Sequence, residues 1–307
     1  MPAVFNIQFV SHSEINKAKW DACIDKAVNG LIYGYSFYLD KMALNWDGLV
    51  LNDYEAVMPL TWNKKYGIHY LHQPFLSAQL GLFGNNITAA MLDAFFMAIP
   101  KKFRYWDIYL NHQNVYHLKD FALYRRSNFV LNLDKPYDEL YDGYRENIQR
   151  NIRKAQQLGC TAKSDFDAEK VIELALEQMR THSKQSGKNV ERFRELYKWL
   201  HAQKQATSYG IFSAQNELLA SCIFFFSHNR AYYILVGNHP NGRTIGASHA
   251  LIDAFIKEYA GKKLLLDFEG SDIRNLAFFY SSFGAAEEKY AAIKLNRLPW
   301  WMRWLKK

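Results

Sequence analysis

Cysteine is scarce in this chain. Cys23, Cys160 and Cys222 are too few, too scattered and odd in number for a disulfide framework, so a reducing, cytoplasmic setting is expected. No apolar run approaches the roughly 18 residues of a membrane helix. The opening residues Met-Pro-Ala-Val-Phe-Asn have no basic stretch with an apolar run behind it, so no secretory leader is expected. Metal-binding spacing is missing as well. His69 and His72 stand three apart in an expected strand, hence on opposite faces, and His112 and His117 lack helical spacing. With no His-Glu-x-x-His and no paired cysteines, no metal is expected. No Gly-x-Ser-x-Gly elbow occurs, and Ser186 and Ser271 lack that context.

What is present fits a globular protein. Apolar residues make up 49% and charged residues 22% of the 307, which excludes disorder and fibrous chains. At about 150 residues per domain, the length suggests two domains. The net charge is +8, but five of the basic residues (Lys294, Arg297, Arg303, Lys306 and Lys307) crowd into 294–307, which holds no acid. Trp300, Trp301 and Trp304 share that stretch. The positive charge therefore argues poorly for duplex nucleic acid. A Trp- and Lys-rich tail suits contact with a membrane surface, which would place the protein at the inner membrane face. A docked terminus or a dimer contact would use the same residues.

Along the chain, 4–10 reads as a strand and 13–27 as a helix, with Ser13 a candidate N-cap and Ile15, Trp20, Ile24 and Val28 on or near one face. Strands are expected at 54–62, 67–72, 79–83, 103–110 and 123–133, with a helix at 88–99. After Pro136 the pattern turns helical: Leu140, Tyr144, Ile148, Ile152 and Ala155 recur at helical spacing, and Gly159 suits a C′ position. Helices at 166–182, 190–205, 247–260 and 272–281 and strands at 208–213, 217–226, 230–236, 263–268 and 286–295 complete the reading. The expected domains are 1–133 and 134–307.

The two halves echo each other. Met91-Leu-Asp-Ala-Phe95 matches Leu251-Ile-Asp-Ala-Phe255 in type, and each is followed by a lysine pair and an apolar strand. Leu82-Phe-Gly-Asn-Asn86 resembles Leu235-Val-Gly-Asn-His239 upstream. Two similar α/β units are expected, the second enlarged by a loop around 240–247. That loop, between a strand and a helix, holds Asn238, Arg243, Thr244, Gly246 and Ser248. A helix start offers free amides and the positive end of a dipole, glycine permits close approach, and Arg243 adds charge, so an anion fits. A plain turn capped by Ser248 or Thr244 would use the same residues.

The run Arg243-Thr-Ile-Gly246-Ala-Ser248 resembles the Arg/Gln-x-x-Gly-x-Gly/Ala motif of GCN5-related N-acetyltransferases (GNAT), whose amides hold the pyrophosphate of coenzyme A. Asp267-Phe-Glu269-Gly270 followed by Phe279-Tyr280-Ser-Ser-Phe283-Gly284 is similar to that superfamily's fifth strand and next helix. Ser248 stands in place of a small final residue, Ile273 where an Asn is usual, and Ala285 after Gly284. Taken whole, with Met58-Pro-Leu60, Gln73-Pro-Phe75, Gln79-Leu-Gly-Leu-Phe83 and the basic segment Asn147–Ala155, the chain resembles the FemAB-like branch.

The resemblance implies an α/β (α+β) fold of two tandem GNAT-like units, each a mixed, mainly antiparallel sheet flanked by helices. It implies transfer of an acyl or aminoacyl group to an amine, with a coenzyme A thioester as donor in the second unit and a small-molecule or cell-wall precursor as acceptor. Tyr280 takes the slot of the general acid toward the departing thiolate. Asp267 and Glu269, on one face of an expected strand, are both candidate bases, Glu269 first because it lies nearer the loop. Arg150 and Arg153, beside Arg145 and Lys154, are a candidate seat for an anionic substrate, or simply a solvated helix face. Two other readings stand: a non-catalytic ligand- or protein-binding member of the fold, and a tRNA-dependent peptidoglycan bridge enzyme. The latter often has Lys at the position of Tyr280 and a coiled-coil arm that this sequence lacks.

Overall fold

A computed structural model of the chain describes residues 5–180, 187–270 and 272–301. The chain forms two compact units, one of Met1–Arg126 with Lys289–Lys307, the other of Ser127–Glu288.

The first unit contains β1 (Ile7–Val10), α1 (Lys17–Lys26), α2 (Ser36–Met42), β2 (Asn45–Leu51), β3 (Ala56–Lys65), β4 (Ile68–His72), β5 (Phe83–Gly84), α3 (Ala89–Ala98) and β6 (Phe103–Tyr109). β1 to β4 pair antiparallel in sequence order, and β6 joins β4 in parallel. The core gathers Leu49, Met58, Leu71, Phe95, Phe96 and Trp106, all buried. α3 starts as the sequence predicts, with Thr88 Oγ accepting from the amide of Met91 at 3.2 Å. α1 starts later than expected. Asn16, not Ser13, accepts from the amide of Lys19 at 3.1 Å, and Ser13 sits in a single 3₁₀ turn, His12–Glu14. Val28 falls beyond the helix and is exposed.

The second unit begins in β7 (Tyr124–Asn132) and runs through α4 (Tyr137–Asp142), α5 (Glu146–Gln157), β8 (Thr161–Ser164), α6 (Ala168–Arg180), α7 (Gly187–Ala202), β9 (Ala206–Phe212), β10 (Leu218–Ser227), β11 (Arg230–Asn238), α8 (Pro240–Ile245), α9 (Ala247–Tyr259), β12 (Leu265–Asp267) and α10 (Arg274–Ser281). β13 (Ala286–Asn296) leaves it at Glu288. β8 to β11 pair antiparallel in sequence order, β12 joins β11 in parallel, and β7 pairs antiparallel with β12. The five apolar residues expected on one helix, Leu140 to Ala155, are all buried, but Leu140 lies on α4, Tyr144 between the helices, and Ile148, Ile152 and Ala155 on α5. The chain breaks at Gly143–Arg145, where the amide of Arg145 bonds to the carbonyl of Ser282 at 2.9 Å. Gly159 takes the left-handed C′ conformation, φ +73°.

Each unit is a mixed, mainly antiparallel sheet flanked by helices. In each, a hairpin (β3–β4, β10–β11) is followed by a helical crossover to a strand parallel with the hairpin's second member (β6, β12). The last strands do not divide at residue 133 as expected. β7, which follows β6 in the chain, pairs with β12 of the second unit. β13, which follows β12, pairs with β6 over Ala292–Asn296. Backbone pairing assigns each of these strands to the unit other than the one preceding it in sequence, so the first unit is discontinuous. Trp300 and Trp301 are exposed, and residues 302–307 of the expected amphipathic tail lie outside the described residues. Among the described residues, no helix is long and apolar enough to cross a membrane, and no group of three His, Cys, Asp or Glu side chains could hold a metal ion.

Candidate active site

The predicted loop after β11 is largely helical. His239 caps α8, its ring accepting from the amide of Asn241 at 3.3 Å, with Pro240 at the first helical position. Gly246 then takes φ +80° and separates α8 from α9. A Cβ on Gly246 would lie 2.5 Å from the carbonyl oxygen of Asn151, so this glycine is required by the packing of α5 as well as by its φ. Ser248 Oγ donates to Asn238 Oδ1 at 2.6 Å and ties the two ends of the segment together. Asn238 is fixed in turn by its amide, which donates to Gln178 Oε1 at 2.9 Å. Lys154 Nζ donates to the carbonyl of Thr244 at 2.9 Å. The amides of His249 and Ala250 bond to the carbonyl of Gly246, and those of Ala247 and Ser248 are the ones a helix start leaves over.

Around that start the charge is positive. Arg243 is exposed on α8, and Arg150, Arg153 and Lys154 are exposed on α5, whose buried face is Ile148, Ile152 and Ala155. Both Arg150 and Arg153 thus point to solvent, and Lys154 is the basic residue of α5 seen to reach the segment.

Tyr280 packs against Phe268 at the end of β12, the residue between Asp267 and Glu269 in sequence. Tyr280 is 8% exposed on α10, its ring stacked on Phe268 at 4.7 Å and 21°. Burial first, and the charge of Glu269 second, push its hydroxyl up to about 12. Glu269 does not share a strand face with Asp267. β12 ends at Asp267, and Glu269 turns into the left-handed region, φ +66°. Its side chain is half-buried, and that burial raises its carboxyl well above the ordinary carboxylate value. Asp267 is otherwise occupied. One oxygen accepts from Arg230 Nη1 at 2.7 Å, and the other from Asn128 Nδ2 at 2.9 Å and from the amide of Glu269 at 2.8 Å.

Sequence reasoning missed Arg230, Asn128 and Glu288, which surround Asp267, since no spacing relates four residues drawn from four strands. It also missed His249. This imidazole lies in the first turn of α9 with its ring edge-on to Phe279 at 5.0 Å, and burial pushes it down to about 4. Its place three residues after Gly246 was the available signal.

The comparisons bear on this region. Residues 143–273 match the family described as acetyltransferase (GNAT) domain. No curated protein matches the chain. Among solved structures, FemX superposes with a TM-score of 0.65 at 14% identity, covering 97% of this chain and 99% of that one. A conserved protein of unknown function from Bacteroides thetaiotaomicron VPI-5482 gives 0.57 at 14% identity, with 95% and 100% covered. L-PGS from Bacillus licheniformis gives 0.54 at 11% identity, with 92% and 93% covered. At these identities the likeness is one of fold, and it extends over nearly the whole chain.

Proposed function

We propose, starting from a fold shared with FemX and a GNAT-domain match over residues 143–273, that the second unit transfers an acyl or aminoacyl group to an amine. The observation that carries the reading is the position of Tyr280, buried on α10 and stacked at 4.7 Å on Phe268, the residue next to half-buried Glu269. Proton transfer is most of what acyl transfer to an amine asks of a protein. The ammonium of the acceptor must lose a proton, and Glu269, with its proton affinity raised by burial, is suited to take it. Tyr280 keeps its own proton throughout the neutral range and can give it to the leaving group.

The residues at the start of α9 fit a polyphosphate-bearing donor. The set comprises amides at a helix start, the tied pair Asn238 and Ser248, Thr244, and the cations Arg243 and Lys154. A coenzyme A thioester would supply an activated acyl carbon and a thiolate that departs. Asn238, Arg243, Thr244, Gly246 and Ser248 would hold it, and Arg150 and Arg153 would attract an anionic acceptor such as a cell-wall precursor.

Thermal unfolding with acetyl-coenzyme A and longer acyl-coenzyme A species tests the donor. At 100 times its dissociation constant, a ligand of the native state adds about 2.7 kcal/mol. The expected result is a concentration-dependent rise in Tm that is lost in Arg243→Ala. An unchanged Tm at millimolar concentrations of every such species would overturn the coenzyme A assignment. A rise in Tm with no transfer to any amine would instead favour a non-catalytic binding protein.

A further inference from the structure

The cluster around Asp267 is more elaborate than a strand end needs. Arg230 Nη1 and Nη2 grip Glu288 at 2.9 Å each, and Nη1 also donates to Asp267 at 2.7 Å. Asn128 Nδ2 donates to Asp267 at 2.9 Å and to Glu288 at 3.2 Å. Asn128, Asp267 and Arg230 are 0%, 2% and 7% exposed. One guanidinium thus faces two carboxylates. A buried arrangement of this kind adds little to stability over apolar side chains of the same volume. Stability alone therefore does not account for it.

Beyond the ion pairs the cluster reaches the backbone amide of Glu269, held by Asp267 at 2.8 Å. Glu269 is also the residue whose backbone needs holding. Its φ of +66° is a conformation that costs a side-chain-bearing residue about 1 kcal/mol or more. In the extended conformation that would continue β12, the carboxyl would point elsewhere.

We propose that Asn128, Arg230, Asp267 and Glu288 form a clamp that positions Glu269, fixing its amide and with it the left-handed turn that directs its half-buried side chain. Asp267 is then a positioning residue and not a second base. Its catalytic consequence rests on the reading of Glu269 as proton acceptor, whereas the geometric claim can be tested without any activity.

The test follows the Glu269 carboxyl by ¹³C NMR of glutamate-labelled full-length protein, its resonance assigned with Glu269→Gln. Asp267→Ala removes the acceptor of the Glu269 amide and leaves Arg230 and Glu288 as a neutral pair. Glu288→Gln, at a side chain 18% exposed, loosens the grip on Arg230 and serves if the first variant does not fold. The expected result in the folded variant is a titration midpoint lowered by about one pH unit or more, as the carboxyl gains access to water. An unchanged midpoint in a folded variant overturns the clamp. Where transfer activity is measurable, Asp267→Ala should lower kcat in the wild-type background and leave it unchanged in the Glu269→Gln background. Additive losses would overturn the claim that Asp267 acts through Glu269. If no amine is ever acylated, the NMR midpoint still decides the clamp, so its failure and that of the proposed function remain separable.

Discussion

In the proposed reaction Tyr280 and Glu269 carry the proton transfers, and each makes its own prediction. Tyr280→Phe removes the acidic proton and keeps the ring on Phe268. It should lower turnover by about 100-fold, the scale of one general acid, with donor affinity nearly unchanged; unaltered turnover would remove Tyr280 from the mechanism. Glu269→Gln should change how stability depends on pH. Burial raises the folded carboxyl above its ordinary value of 4.5, so the native state binds this proton more tightly than the unfolded chain. The contribution is fully present below the unfolded value and is lost as pH rises through the folded one. Glutamine cannot ionise. The variant should match the parent in acid and exceed it in Tm at neutral and alkaline pH; a Tm difference constant from about pH 4 to about pH 9 would show that no charge is buried there. Both residues were legible in the sequence as types in a motif. Their environments were not. Alternation along a strand placed Asp267 and Glu269 together on one face, and it failed because the strand ends at Asp267 and the next carboxylate lies on a left-handed turn.

Elements fared according to how local their causes are. Gly159 ends α5 as expected, and α3 begins within a residue of the expected 88, where Thr88 caps it, because helix ends depend on a few neighbouring residues. The break between α4 and α5 was invisible. Its cause is a hydrogen bond to Ser282, far along the chain, and the apolar spacing runs on through it. Set against the first half, the extra residues after β11 suggest an inserted loop. The segment is a short helix, and Pro240 and His239 open it in the usual N-terminal positions. Gly246 is the critical residue of that segment, with a left-handed φ and the carbonyl of Asn151 2.5 Å from where a Cβ would stand. Gly246→Ala should therefore lower the unfolding free energy by about 1–3 kcal/mol, read from the urea midpoint at 25 °C. The same change would shift the start of α9, so the Tm rise with acetyl-coenzyme A should shrink with it.

For the whole molecule, the internal echo and the crossing of strands belong together. Two units of one plan were legible in the repeated helix–Lys pair–strand pattern, because a helix face and an apolar strand are written locally. Membership of the last strands was not, since β7 and β13 both mix charged or polar with apolar residues and nothing in either says which sheet will accept it. Hydrogen bonding decides: Ala292–Asn296 pair with Tyr105–Tyr109, and Ile293 is buried in the first unit's core. A residue near the end of the chain thus supports strands laid down nearly two hundred residues earlier. Ile293→Ala leaves a cavity in that core and should cost about 2–5 kcal/mol. Hydrogen exchange with peptide resolution locates the damage. Amides of β4 and β6 should lose protection, because their sheet contains β13. If instead the loss were confined to β9–β12, β13 would belong where sequence order puts it, and the discontinuous first unit would have to be given up.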